Sequence, residues 1–291
     1  MNIIRSARFS ASTLIPKNCR SVVRSISSTE LTKLEVNDKT GIAVLTLNRP
    51  PVNSLNLELL TDIRNSIKDA ESNKCKGLIL TSSSNSVFSA GLDFLEMYQP
   101  KEERLKSFWT ALQSTWMTLY GSKIPTAAAI NGHSPAGGCL LATSCEYRVM
   151  LPKFTIGLNE TLIGIVAPSW FMNSYLNVLP RRVAELALTQ GKMFTTAEAQ
   201  QVGLVDDVVN TKEEAIAKCE EFIGLFKKIN PYARALTKQQ FRIRDLQELE
   251  QNREQDLQAF IAAITNPSTQ AAMGAYLENL KRNQNNKFVL R

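Results

Sequence analysis

The character of this chain changes at Pro168. Before it, short apolar runs alternate with amphipathic stretches. After it, helical periodicity dominates almost to the end. Alternating strands and helices build a mostly parallel sheet flanked by helices, and a trailing run of helices must pack on that unit or on a neighbour. The fold class is therefore α/β with a helical C-terminal region.

Strands are predicted at 41–48, 77–81, 125–130, 147–151 and 205–209; the first stops at Arg49-Pro50-Pro51 and the third at Asn131-Gly132. Between the first two, Leu57, Leu60, Ile63, Ile67 and Ala70 recur at helical spacing, and Asn53 or Ser54 offers an N-cap. Residues 101–121 repeat that pattern with Leu105, Phe108, Leu112, Trp116 and Leu119. A short helix is expected over 138–146, with Glu146 paired to Arg148 or to solvent. Later helices are expected at 169–179, 181–190, 196–202, 212–228, 231–243, 246–264 and 268–283. No flexible linker separates the halves.

The 291 residues are 44% hydrophobic, enough for a sizeable core. A formal net charge of +7 suggests an acidic partner until its distribution is read. Arg5, Arg8, Lys17, Arg20 and Arg24 all precede the first acid, Glu30, in a serine-rich stretch; without these five cations the remainder carries +2. An Arg-rich, Ser-rich, acid-free leader without an apolar core has the composition of a mitochondrial transit peptide. Residues 1–28 are thus expected to be a targeting segment, 29–291 one functional unit, and the location the mitochondrial matrix. Basic residues form no aromatic-interleaved stripe, so nucleic-acid binding has little support. No apolar run has the length of a transmembrane segment.

Five cysteines (Cys19, Cys75, Cys139, Cys145, Cys219) form no C-x-x-C pair, and His133 is the only histidine. No metal site is expected, and the thiols are read as reduced and mostly buried. G-x-G-x-x-G, Walker A and H-E-x-x-H motifs are absent from the sequence.

Three short segments carry chemistry: Ser-Ala-Gly-Leu-Asp at 89–93, Pro-Ala-Gly-Gly-Cys-Leu at 135–140, and Gly-Leu-Asn-Glu-Thr at 157–161. In the first, Gly91 can adopt backbone angles closed to other residues and turn the Leu92 N–H outward; alone, Ala90-Gly91 reads equally as a tight turn. In the second, Gly137 and Gly138 open a helix whose unpaired N–H groups and dipole favour negative charge. The Gly137 N–H is the natural donor there, although close packing through small residues also explains the glycines. Two donor loops after two strands are what an oxyanion hole requires, and each preorganised donor can be worth about 3 kcal/mol in the transition state. Glu160, set among Ile156, Leu158, Leu162 and Ile163, is the candidate base. Partial burial would raise its pKa and strengthen it as a base; a solvated glutamate in a helix's first turn is the plain alternative. Asp93 is expected to order its own loop through backbone N–H groups, and His133 to hold a turn. Cys139 lacks the histidine partner a thiol nucleophile needs.

Together these segments resemble the crotonase (enoyl-CoA hydratase/isomerase) superfamily over roughly residues 32–285. The runs at 50–55, 88–93 and 156–161 are most similar to its 3,2-trans-enoyl-CoA isomerase branch. The resemblance implies a crotonase-like spiral of ββα units, with C-terminal helices at about 211–285 packing subunits into homotrimers, sometimes paired into hexamers. It implies that Leu92 and Gly137 supply the oxyanion N–H groups and that Glu160 is the base. Ala90, Gly91, Leu92, Asp93, Phe94, Gly137 and Asn159 would then bind substrate. That substrate is a fatty acyl-CoA thioester, with coenzyme A part of it and no separate cofactor. Hydratases of the superfamily hold water with two glutamates, and the first falls where this chain has Leu140, which can neither orient water nor exchange a proton. The implied activity is therefore an isomerase, moving a 3-cis or 3-trans double bond to 2-trans in oxidation of unsaturated fatty acids. The Trp109–Trp116 helix is a candidate wall of the acyl pocket. A hydratase, an acyl-CoA hydrolase and a non-catalytic acyl-CoA-binding protein remain alternatives on the same fold.

Overall fold

The computed structural model describes residues 23–289. The leader expected over 1–28 lies outside the described residues as far as position 22. Its last six residues belong to the sheet: β1 (Val23–Ser28) pairs antiparallel with β2 (Thr32–Asn37). Composition hid this strand, because an edge strand needs only backbone pairing along one side.

Among the described residues, ten strands form two sheets. The large sheet continues with β3 (Ile42–Leu47), β4 (Gly77–Ser82), β5 (Thr126–Ile130), β7 (Tyr147–Met150) and β10 (Asp207–Val208), all parallel to one another, in the order β1-β2-β3-β4-β5-β7-β10. The small sheet holds β6 (Ser134–Pro135), β8 (Thr155–Gly157) and β9 (Phe194–Thr195). Strands β5 and β7 are each followed directly by a strand of the small sheet, and β5-β6 then leads into a helix. This is the expected ββα turn.

Parallel strands buried on both faces need apolar residues at every position. In β4, Leu78 and Leu80 enter the main core while Ile79 faces the opposite layer; in β5, Ala128 and Ile130 enter the main core while Ala127 and Ala129 face away. The main core packs under α1 (Leu57–Ser72) and α3 (Glu102–Tyr120), with the four-residue α2 (Phe94–Met97) between them. The α4 helix (Gly137–Ser144) is buried throughout. It is followed by a 3-10 turn (Glu160–Ile163), α5 (Ser169–Leu176), α6 (Arg181–Gln190) and α7 (Thr196–Val202). The α8 helix (Lys212–Gly224) closes the other face of the sheet through Ala215, Cys219 and Ile223. Then come α9 (Pro231–Thr265) and α10 (Pro267–Val289). Among the described residues, no helix is long and apolar enough to cross a membrane.

Three local expectations are corrected. The α1 cap is Asn56, whose side chain accepts from the Leu59 N–H at 3.0 Å. Asn53 is buried instead and donates through Nδ2 to Ser82 Oγ (2.7 Å) and Phe88 O (3.1 Å), so its polarity ties loops together. The segments 231–243 and 246–264 are one helix, because Arg244-Asp245 contains no breaker; the helical angles fail later, at Asn252. Glu146 pairs with Arg234 and with Lys238 (2.8 Å) of α9, while Arg148 pairs with Asp206 at 2.8 Å. A local reading could not place these cations, which lie some ninety residues away and arrive with the packed helix.

Candidate active site

The first donor loop leaves the C-terminal end of β4 and is stitched to the segment before α1. Ala90 N–H donates to Val52 O (2.9 Å), Leu55 N–H to Gly91 O (2.8 Å) and Asp93 N–H to Leu55 O (3.0 Å). In this short parallel bridge the neighbours of Leu92 are used and its own N–H is not; it has no acceptor among the described residues. Gly91 makes the turn at φ +87, which only glycine adopts freely. Asp93 behaves as expected: its carboxylate accepts from Leu95 N–H (3.0 Å), capping α2, and pairs with Arg49 at 2.8 Å.

The second donor loop leaves β5 and enters α4 through Ala136, a non-glycine residue at φ 47 and ψ −121. Backbone strain of this kind persists only where surrounding contacts enforce it. Here Ala136 N–H donates to Gly157 O at 2.8 Å, and Pro135 pairs with Gly157 across the small sheet. As the first residue of α4, Gly137 has an N–H with no partner within the helix. The two loops are in contact. A Cβ added to Gly137 would stand 3.4 Å from Leu92 N, and one added to Gly91 would stand 3.3 Å from Gly137 N. Two unshared N–H groups therefore lie side by side, able to hold one anionic oxygen.

The strand that anchors Ala136 also delivers the acid. Three residues beyond Gly157, Glu160 opens the 3-10 turn, which is closed by Leu162 N–H to Asn159 O (3.0 Å) and tied down by Thr161 Oγ1 to Leu188 O (2.7 Å). The Glu160 side chain is 7% exposed, and neither carboxylate oxygen has a hydrogen-bond partner among the described residues. Burial pushes its pKa up to about 7. An unpaired buried carboxylate is costly, and such groups cluster where proton transfer is needed. Burial also pushes the Cys139 thiol well above its ordinary pKa, with the nearby Glu160 charge adding to the effect; it is no nucleophile.

Glu160 faces a cavity of about 90 Å³. Ala90, Leu92 and Ala136 of the two donor loops line it, together with the aromatic residues Trp109, Phe171 and Phe260. Phe94 and Tyr276 stack at 4.9 Å beside it, so α10 covers the cavity from the C-terminal end. Among the described residues, Glu160 is the only acid in the lining. Among the described residues, no group of three or more His, Cys, Asp or Glu is placed to hold a metal ion.

Residues 37–287 match the family model described as enoyl-CoA hydratase/isomerase. The chain belongs to the enoyl-CoA hydratase/isomerase family. It is 44% identical over 252 residues to a mouse protein named enoyl-CoA delta isomerase 1, mitochondrial, covering 86% of this chain and 87% of that one. The human protein of the same name is 42% identical over 244 residues, covering 83% and 80% respectively. The crystal structure of human mitochondrial delta3-delta2-enoyl-CoA isomerase superposes with a TM-score of 0.84 at 41% identity, over 87% of this chain and 99% of that one. An enoyl-CoA hydratase from Bacillus halodurans superposes at 0.75 with 22% identity, which speaks for the fold alone.

Of the residues singled out in the sequence, the structure brings Ala90, Leu92, Phe94, Asn159 and Glu160 to one cavity. Gly91 and Gly137 lie against each other at the junction of the two loops. Asp93 is committed to Arg49 and to the α2 cap. Trp109 lines the cavity, but Trp116 is core, its Nε1 donating to Ser174 Oγ at 2.8 Å. His133 is exposed, and its Nδ1 engages Thr155, in keeping with a turn role. Sequence reasoning missed Ala136, Phe260 and Tyr276. The last two sit in apolar helical runs, 257–264 and 271–277, and nothing local separates a pocket-facing aromatic there from a core one.

Proposed function

We propose that this chain is a Δ3,Δ2-enoyl-CoA isomerase that converts 3-cis- and 3-trans-enoyl-CoA to the 2-trans isomer with Glu160 as its single acid–base. The observation that carries the reading is one buried carboxylate without hydrogen-bond partners in a cavity that Leu92 also lines, with the unshared Leu92 and Gly137 N–H groups adjacent and no second acid among the described lining residues. The similarity to proteins named enoyl-CoA delta isomerase supports it.

The thioester oxygen accepts from the Leu92 and Gly137 N–H groups. Glu160 takes a proton from C2, and the electron pair spreads over C2, C3 and C4 and onto the thioester oxygen. The two N–H groups stabilise that charge as it develops. Glu160, now protonated, returns the proton at C4, leaving the double bond between C2 and C3. No covalent intermediate is needed, and coenzyme A leaves as part of the product. With Leu140 buried in α4, no second carboxylate is offered to hold a water for addition.

The relatives carry "mitochondrial" in their names, and we infer that this protein works in the mitochondrial matrix on acyl-CoA from unsaturated fatty acids. We also infer assembly into a homotrimer through the region after residue 211. Tyr232, Leu236 and Phe241 of α9 are exposed, with Phe241 at 84%, which is costly to leave in water.

The test is to incubate mature protein with 3-cis-decenoyl-CoA and resolve the products. The reading expects 2-trans-decenoyl-CoA as the main product. A 3-hydroxyacyl-CoA would make it a hydratase, free coenzyme A a hydrolase, and tight binding without conversion a binding protein.

A further inference from the structure

Part of the cavity lining is an aromatic cluster held by one carboxylate. Trp109 lies face to face with Phe260, ring centroids 3.5 Å apart and planes within 10°, and meets Trp170 edge-on at 5.8 Å. Both indoles are buried, and a buried indole N–H needs an acceptor. One residue supplies both. Trp109 Nε1 donates to Asp256 Oδ2 at 2.6 Å, and Trp170 Nε1 donates to Asp256 Oδ1 at 3.1 Å. Gln113 Nε2 adds a bond to Oδ2 at 2.8 Å. Donors from α3 and α5 thus converge on a side chain of α9, and no lysine or arginine among the described residues pairs with it.

Asp256 sits one turn after the break in α9 at Asn252. Arg253 secures that turn by donating through its Nη2 to Ser114 Oγ at 2.7 Å. Behind Asp256 lies a second cavity of about 380 Å³, lined by polar residues that include Asn173, Asp245 and Gln255. The carboxylate therefore separates a polar space from the apolar one. The apolar space, about 90 Å³, is the smaller of the two. A chain directed at Trp109 can pass it only if the indole leaves its place.

We propose that Asp256 sets the acyl-chain length accepted by this site, by fixing Trp109, with Trp170 packed against it, as a rigid wall of the cavity. The proposal rests on the isomerase reading above. Asp256 itself touches no substrate and is a positioning residue. Carboxylate chemistry is essential to the design, because three donors need two acceptor oxygens. An asparagine offers one. It can flip to keep Trp109 and Gln113 or to keep Trp170, but not all three.

The experiment compares wild type, Asp256→Asn, Asp256→Ala and Trp109→Phe on 3-cis-hexenoyl-CoA and 3-cis-dodecenoyl-CoA. The ratio of kcat/KM for the long over the short substrate is the readout. It is expected to rise by about tenfold in Asp256→Ala, the scale on which losing a charge-assisted bond to the indole frees the wall, and by less in Asp256→Asn. In Trp109→Phe, which removes the donor and keeps a ring, it should also rise. The change should appear mainly in KM for the long chain. Variants that stay folded by circular dichroism and keep the wild-type ratio, or lose both activities equally, overturn the proposal; the chain would then leave past Val166, which is 82% exposed. If Asp256→Ala does not fold, the other two variants decide. Absence of 2-trans product from either substrate with wild type would instead sink the isomerase reading and leave Asp256 aside.

Discussion

Glu160 is a carboxylate that folding buries without giving it a partner, and its chemistry follows from that. A base must be ionised to take a proton, so kcat/KM should rise with pH and level off above about 7, the value to which burial pushes this group. A profile flat from pH 5.5 to 8.5 would remove Glu160 as the base. The same shift has a sign for stability. The folded state holds the Glu160 proton more tightly than the unfolded chain, whose glutamate titrates near 4.5. Stability due to this group is therefore full below about pH 4.5 and is lost as pH rises through about 7. Neutral Glu160→Gln should be the more stable protein at pH 8, by up to about 3 kcal/mol for a shift of this size, and the gap should close towards pH 5. Urea denaturation of both proteins at the two pH values measures it. Equal stabilities at pH 8 would mean the carboxylate is solvated in solution.

At the scale of elements, the loops after β4 and β5 work only as a pair. Gly91 has a positive φ, and a Cβ there would come within 2.9 Å of Ala136 Cβ. Gly91→Ala should therefore push the two N–H groups apart and cut kcat by about 10²-fold or more while changing substrate affinity less, the loss expected for one misplaced donor. Steady-state kinetics checks this, and an unchanged kcat would detach the loops from catalysis. These loops were legible in the sequence because Gly91 signals a turn at positive φ, Gly137 and Gly138 signal close approach at a helix start, and both loops follow apolar strands. The strained Ala136 was not legible, because its conformation is imposed by Gly157 from another strand. Nor was the Asn56 cap, since Asn53, Ser54 and Asn56 all fit a cap and only packing decides which is buried. The α9 break at Asn252 falls in a polar run with no proline or glycine to mark it.

At the scale of the molecule, the first half builds the donors and the acid, and the second half closes the pocket over them. Phe260 and Tyr276, from α9 and α10, face a cavity whose reactive groups all precede Pro168. Class and layer order could be read from periodicity, but the return of the C-terminal helices over the site is a long-range contact with no local signature. The apolar residues α9 leaves exposed carry the assembly proposal. Phe241→Asp should lower the mass seen by light scattering from a trimer towards a monomer, and an unchanged mass would place the subunit contact elsewhere. Turnover rests on one acid, Glu160. The decisive measurement is turnover of 3-cis-enoyl-CoA by wild type beside Glu160→Gln, with acyl-CoA affinity measured for both. A fall of about 10³-fold or more in kcat with affinity retained is predicted for loss of the general acid–base; turnover that survives the substitution would contradict the single-glutamate shuttle.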